Sequence, residues 1–286
     1  MSSGRLTAFK LAPERNRGKI LGVETTEIKE LTPFNEVNEI ISTLNQEVQG
    51  IIGEELVGLY LTGSLTYGDF NPGRSDIDFL VVTQTGLSKE KMDEIKAMHE
   101  RIGEINPKWA ERIECSYIPA DFLQNVLPPK TSRPYFGEGK FYPTAPYGNE
   151  WIINQYLLYK HGVALIGLDF EKLINPIDIK DVQKACIRDL FAEWEPKITD
   201  PDYLKNSHYQ SYVALNLCRI LYTVMCGDVA SKTVSASWAK QEFPEWSGLI
   251  KTAENWEYGG EMNLREETIE FIKFVISHVV KKQYKN

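Results

Sequence analysis

Cysteine and histidine are scarce in this chain, four of each in 286 residues. Cys115, Cys186, Cys218 and Cys226 form no C-x-x-C pair, and no histidine stands at zinc-ligand spacing. That excludes a zinc-finger or disulfide framework and leaves the thiols as small buried apolar residues, expected in a reducing cytoplasm. No run approaches the roughly 18 apolar residues of a membrane span, and the N-terminus lacks the apolar core of a secretion signal, so no membrane partner is expected. A basic excess is missing as well, because the formal net charge is −8. Proteins that grip nucleic acid carry a basic surface, so nucleic acid is not expected as a partner. An acidic surface instead concentrates small cations by long-range attraction. Internal repeats and low-complexity tracts are absent too.

What the chain does have is bulk for sizeable cores, with 42% hydrophobic residues, and a length that suits two domains. Residues 1–30 are polar, mildly basic and without periodicity, and read as an N-terminal extension. Thr32-Pro33 reads as an N-cap followed by proline at the first helical position. Phe34, Val37, Ile41, Leu44, Val48 and Ile51 then recur in steps of three and four, one apolar face of a helix ending near Gly53. Strands are expected at 56–61, 77–83 and 112–118, with a helix from Ser88 to about Ile102 between the second and third. Residues 121–148, rich in Pro, Gly and Tyr, read as a linker between domains. Beyond it, helices are expected near 149–161, 180–195, 207–227, 232–242 and 265–282, and no strands. The expected fold is α+β: a mixed-sheet domain over 31–120 followed by an all-α helical bundle over 149–286.

The segment that carries chemistry joins the first two strands. Leu61-Thr62-Gly63-Ser64 closes one, and Asp76-Ile77-Asp78 opens the next, with Leu65 to Ser75, eleven residues, between. Side chains i and i+2 on a strand share a face, so Asp76 and Asp78 face the same way. Two carboxylates a few ångströms apart repel unless a cation lies between them, and a hard divalent ion such as Mg²⁺ takes carboxylate oxygens together with those of a triphosphate. The backbone N–H groups and hydroxyl of Gly63-Ser64 are suited to terminal phosphates. Glu114 interrupts the apolar third strand. It reads either as facing a polar cleft or as lying on an exposed edge, and the order of elements favours the first.

Gly-Ser, a spacer and Asp-x-Asp, each attached to a strand, resemble the signature of the nucleotidyltransferase superfamily typified by DNA polymerase β. From about residue 33 the chain looks, more narrowly, like the streptomycin/spectinomycin adenylyltransferases. The segments that carry this are Phe136-Gly137-Glu138, the run from Lys160 to Gly167, Leu217-Cys218-Arg219-Ile220-Leu221-Tyr222-Thr223, Gly227 to Lys232, and Ala236-Ser237-Trp238-Ala239. The resemblance implies a nucleotidyltransferase domain joined to a helical domain, ATP as co-substrate, two Mg²⁺ ions, and transfer of AMP to a hydroxyl of an aminoglycoside-like small molecule by a monomer. It implies Asp76, Asp78 and Glu114 as catalytic and metal-binding carboxylates, with Glu114 the general base. It places Gly63, Ser64, Arg219 and Lys232 on the nucleotide and Glu138 on the acceptor; Tyr209 and Tyr212 are read as acceptor contacts from their own aromatic chemistry.

Two departures bear on the acceptor. The family's streptomycin-modifying members continue Phe-Gly-Glu with a tryptophan that stacks on the drug, where this chain has Gly139; spectinomycin is thereby favoured. The family's acidic segment ahead of the arginine helix is here His208-Tyr209-Gln210-Ser211-Tyr212, with no carboxylate. Tyr209, Tyr212 and Trp194 offer aromatic faces for stacking or cation–π contact, or are ordinary core aromatics. A non-antibiotic small molecule, a protein or an RNA as acceptor, and a nucleotide-binding module without catalysis, remain as alternatives.

Overall fold

The computed structural model of the protein describes residues 17–20, 23–26, 31–200 and 202–283. It divides into two compact units, residues 1–147 with 155–176, and residues 148–154 with 177–286. Of the N-terminal extension, only the two short strands named below fall within the described residues.

The first unit is built on one eight-stranded sheet. Its strands are β1 (Arg17–Ile20), β2 (Val23–Thr26), β3 (Leu56–Thr62), β4 (Ile77–Thr83), β5 (Ile113–Pro119), β6 (Ser132–Gly137), β7 (Lys140–Pro146) and β8 (Val163–Ile166). Their order across the sheet is β1-β2-β8-β3-β4-β5-β6-β7. Two helices of this unit, α1 (Asn35–Ile52) and α2 (Lys89–Ile105), bury an apolar stripe against it. β4 and β5 are parallel, because α2 connects them as a crossover; β3 and β4 are antiparallel.

Alternation along the strands separates two chemistries. Ile77, Phe79 and Val81 of β4, and Ile113, Cys115 and Tyr117 of β5, enter the core formed with α1 and α2. With a period of two, Asp78 and Glu114 must lie on the opposite face. Leu80, Val82 and Ile118 on that face are also buried, so only the starts of β4 and β5 are polar there.

Several elements differ from expectation. α1 starts at Asn35, and Phe34 at its N-cap position makes no side-chain cap. Thr32 instead forms a local turn, accepting from Phe34 N at 3.1 Å, and exchanges hydrogen bonds with Asn38. The stretch expected as a linker contains the β6–β7 hairpin. Its two-residue turn has Glu138 at φ 52° and Gly139 at φ 70°, the double positive φ of a type I′ turn. β8 lies where no strand was expected, and inserts between β2 and β3. Its four residues are all buried, a run too short to be told from a helix end by pattern alone.

The second unit is helical. It contains α4 (Ile179–Asp189), α5 (Ser207–Cys226), α6 (Lys232–Glu242), α7 (Ser247–Asn255) and α8 (Arg265–Gln283), while α3 (Trp151–His161) spans the division between the units. Asn206 caps α5 through His208 N, and Gly227 ends it in the left-handed conformation. Val213, Leu217, Leu221 and Val224 of α5, Ile250 of α7 and Ile272 of α8 are buried, and α5 packs against both α7 and α8. The helix expected over 180–195 is not continuous: α4 gives way at Leu190–Trp194 to a π-helical turn. Cys115, Cys186 and Cys218 are buried, whereas Cys226, at the last turn of α5, is exposed. Among the described residues no helix is long and apolar enough to cross a membrane.

Candidate active site

The site begins where β3 ends. Gly63 has φ +66°, a left-handed conformation that favours glycine, and opens a short 3-10 turn over Gly63–Leu65. A Cβ at this position would lie 1.8 Å from Asp78 Oδ2, so the bare backbone of Gly63 sits directly against that carboxylate. Thr62 pairs with Asp78 across β3 and β4, which brings the turn and the carboxylate together.

The eleven residues between the turn and Asp76 are held at several points. Phe70 is buried, 5.4 Å from the ring of Phe34 and 6.0 Å from that of Trp109. Asn71 N donates to Ser75 Oγ at 2.9 Å, and Ser75 N returns to Asn71 O at 2.8 Å. Arg112, with only 8% of its side chain exposed, donates to Pro72 O at 2.8 Å and to Ser75 O, and stacks over Trp109 at 4.3 Å. Its Nε lies 3.9 Å from Asp76 Oδ1. A guanidinium is the side chain that can satisfy two carbonyls in a fixed fork while neutralising a carboxylate. Arg112 is the residue that sequence reading missed. Its signal was a charged residue just before an apolar strand, which by itself looks like any solvated strand end.

Asp78 and Glu114 stand side by side in the parallel register of β4 and β5. Glu114 therefore faces the same way as Asp78, and β5 lies between β4 and β6, so it is not on an edge strand. On β6, Tyr135 pairs with Ser116, which makes it the diagonal neighbour of Glu114 on the same face. Burial, then the charge and hydrogen bond of Glu114, then the charge of Asp78, push the Tyr135 phenol far above its usual range. Among the described residues no three histidine, cysteine or carboxylate side chains converge closely enough to hold a metal ion by themselves.

Arg219 and Lys232 belong to the helical unit. Arg219 is half-buried on α5, and its charge acts on Asp189, whose carboxyl burial lifts to about 6. Trp194 Nε1 donates to Asp189 at 2.8 Å. This bond joins residues five apart, a spacing that the π-helical turn brings onto one side. Lys232 is the first residue of α6, behind the Ser231 cap, with its ammonium 4.8 Å over the ring of Tyr212. Tyr212 also meets Trp194 at 5.9 Å and stacks with His208 at 6.0 Å, while Tyr209 stacks on Tyr203 at 4.5 Å. Tyr209 and Tyr212 both border the His208 ring. Tyr212 is the more exposed of the pair and lies beside Lys232, Tyr209 pairs with Tyr203, and Glu138 is at the tip of the β6–β7 hairpin.

Two family models match the chain: a nucleotidyltransferase domain over residues 37–127, and the C-terminal domain of aminoglycoside adenylyltransferase over residues 172–282. A spectinomycin 9-adenylyltransferase of Campylobacter jejuni is 25% identical over 257 residues, 87% of this chain and 94% of the relative. An aminoglycoside (3'') (9) adenylyltransferase of Klebsiella pneumoniae is 27% identical over 266 residues, 85% and 97% of the two chains. The crystal structure of a spectinomycin adenyltransferase, AAD(9), from Enterococcus faecialis with ATP and spectinomycin superposes with a TM-score of 0.68 at 21% identity. It covers 84% of this chain and 98% of that one, which shows a shared fold.

Proposed function

We propose that the chain, with a nucleotidyltransferase domain over residues 37–127 and the C-terminal domain of aminoglycoside adenylyltransferase over 172–282, transfers AMP from ATP to a hydroxyl of a spectinomycin-like small molecule, releasing pyrophosphate. The observation that carries this reading is the pairing of Asp78 with Glu114 on one face of the sheet, with Gly63 packed against Asp78.

In this reaction Glu114 accepts the proton of the acceptor hydroxyl, whose oxygen attacks the α-phosphorus as the bond to pyrophosphate breaks. Asp76 and Asp78 are hard oxygen donors two residues apart and would hold Mg²⁺ together with phosphate oxygens, since among the described residues no closed set of three protein ligands forms. Such an ion, when bound, supplies charge neutralisation to the triphosphate. Gly63 and Ser64 offer backbone N–H groups to the phosphates. On the helical unit, the family resemblance assigns Arg219 and Lys232 to the nucleotide, and a bidentate guanidinium and a point-charge ammonium suit phosphate. A lysine at the first position of a helix opposes the helix dipole, and a bound anion there reverses that penalty.

Mass spectrometry of spectinomycin and streptomycin incubated with the protein, Mg²⁺ and ATP tests the reading, with Asp76→Asn as control. The expected result is a gain of one AMP on spectinomycin that is lost in the control. An unmodified spectinomycin in the presence of bound ATP removes the acceptor assignment. A second reading keeps the chemistry and changes the small molecule; the aromatic stack of His208 on Tyr212, in a segment without carboxylates, favours it.

A further inference from the structure

We propose that Arg133 is a specificity-determining contact for the acceptor: with Tyr135 and Tyr142 it lines a shelf that takes an uncharged, oxygen-rich saturated ring and turns a guanidinium-bearing one away. The inference deepens the reading above and rests on it for where the triphosphate lies. Its footing is the order of the strands. The Gly63 turn follows β3, Asp78 is on β4, Glu114 is next on β5, and β6 and β7 follow. With the triphosphate held by the Gly63 turn and the carboxylates, the side left for an acceptor hydroxyl at Glu114 is that of β6. Ser116 is opposite Tyr135, and Tyr135 is opposite Tyr142, so these three share the face of Glu114 while Phe136 joins the core.

Arg133 is half-buried, and its bonds bring it onto that face. Its Nε donates to Ser116 Oγ at 3.2 Å and its Nη1 donates to Pro146 O. The guanidinium lies 4.7 Å over the Tyr147 ring and 5.5 Å over that of Tyr135. Ser116 is two residues along β5 from Glu114, about 7 Å. A fixed positive charge therefore stands within the span of a sugar ring of the proposed base. Among the described residues these two bonds use only part of the guanidinium's donor set, which leaves N–H groups of the same fork for hydroxyl or carbonyl oxygens of a bound ring. Tyr142 is 37% exposed and stacks on the half-buried Tyr135 at 6.2 Å, an aromatic surface for the C–H face of a saturated ring. A guanidinium or ammonium brought to this end of the shelf meets a like charge, and such repulsion discriminates between substrates. Streptomycin bears guanidino groups, whereas spectinomycin joins its aminocyclitol to an uncharged, oxygen-rich ring, the half that fits.

The test is calorimetric titration of spectinomycin into the protein with Mg²⁺ and α,β-methylene-ATP, for the unaltered chain, Arg133→Gln, Arg133→Lys and Tyr142→Leu. It is run beside AMP transfer from ATP to spectinomycin and to streptomycin. Arg133→Gln is expected to weaken spectinomycin binding roughly tenfold or more, while affinity for the ATP analogue holds within about twofold, a split that general loosening of the fold would not give. The ratio of kcat/KM for spectinomycin over streptomycin falls by a similar factor. Arg133→Lys keeps the charge and loses the fork, so spectinomycin binding weakens while streptomycin stays excluded. Tyr142→Leu leaves the bonds of Arg133 in place and is expected to cost about threefold in spectinomycin binding, a second reading should Arg133→Gln fail to fold. Spectinomycin binding within about twofold of the unaltered chain in Arg133→Gln, or unchanged in Tyr142→Leu where Arg133→Gln does not fold, overturns the proposal. An unaltered chain that binds no spectinomycin overturns it as well. Binding that depends on Arg133 but brings no gain of AMP leaves the shelf standing and removes the proposed function instead.

Discussion

Replacing Gly63 by alanine tests whether the turn after β3 sets the position of the Asp78 carboxylate. The added methyl would arrive 1.8 Å from Asp78 Oδ2 and 2.7 Å from its Cγ, against an ordinary contact of 3.4–4 Å. One of the two must retreat by about 1.5 Å. The turn cannot absorb this cheaply, because φ at 63 is +66° and alanine pays about 1–2 kcal/mol to stay there. The carboxylate can move, at the expense of its place beside Glu114. A displacement of about 1 Å in a reacting constellation costs on the order of 10²-fold in rate. Gly63→Ala is therefore expected to lower the rate of AMP transfer at saturating ATP by about 10²-fold or more. Thermal unfolding is expected to fall by only a few degrees, since about 1–2 kcal/mol moves a unit of this size by that much. Initial rates with ³²P-labelled ATP and differential scanning calorimetry measure the two effects. A variant that transfers AMP within about threefold of the parent rate refutes the reasoning, because Asp78 would then tolerate displacement or the turn would not press on it.

His99, stacked on Phe136 at 4.1 Å and bonded to the Tyr117 hydroxyl at 2.8 Å, is pushed down to about 3 by burial. Its folded value lies below the unfolded one near 6.5, so its contribution is complete above that pH and drains as pH falls toward 3. Between pH 6.5 and 5 the parent is expected to lose about 2 kcal/mol more than His99→Gln in urea unfolding; parallel losses would sink this. Asp189 has the opposite sign, with its folded value raised to about 6, so the strain grows as pH rises from about 4 to 6 and persists above. Asp189→Asn is expected to stabilise the helical unit by about 2 kcal/mol at pH 7.5 and by nothing near pH 4, and equal melting of parent and variant at pH 7.5 would contradict it. Arg112→Lys cannot reach both Pro72 O and Ser75 O, so a loss of about 1–3 kcal/mol is expected with reduced AMP transfer; an unchanged melting point would show that the loop does not depend on the fork.

Local pattern accounts for a definite share of this protein. The alternation in Ile77–Thr83, the steps of three and four in Asn35–Ile52, and the Ser88 cap of α2 are each written within one segment, so these elements could be read directly. Motif and composition likewise pointed to Gly63 and Ser64, and to a helical second half. The limits came at short apolar runs and at polar residues whose partners are far along the chain. Val163–Ile166 is four apolar residues after a helix, and nothing within them says that they insert beside β3. Residues 132–146 pair as a hairpin although their prolines and glycines read as a connection. Periodicity ranks residues by face but carries no register, and register is a non-local choice made by the whole sheet. Three placements follow from that choice alone: Glu114 beside Asp78, Tyr135 across from Ser116, and Arg112 on the carbonyls of Pro72 and Ser75. Segment chemistry supplied the carboxylates and the glycine turn; the pairing of distant strands turned them into a site.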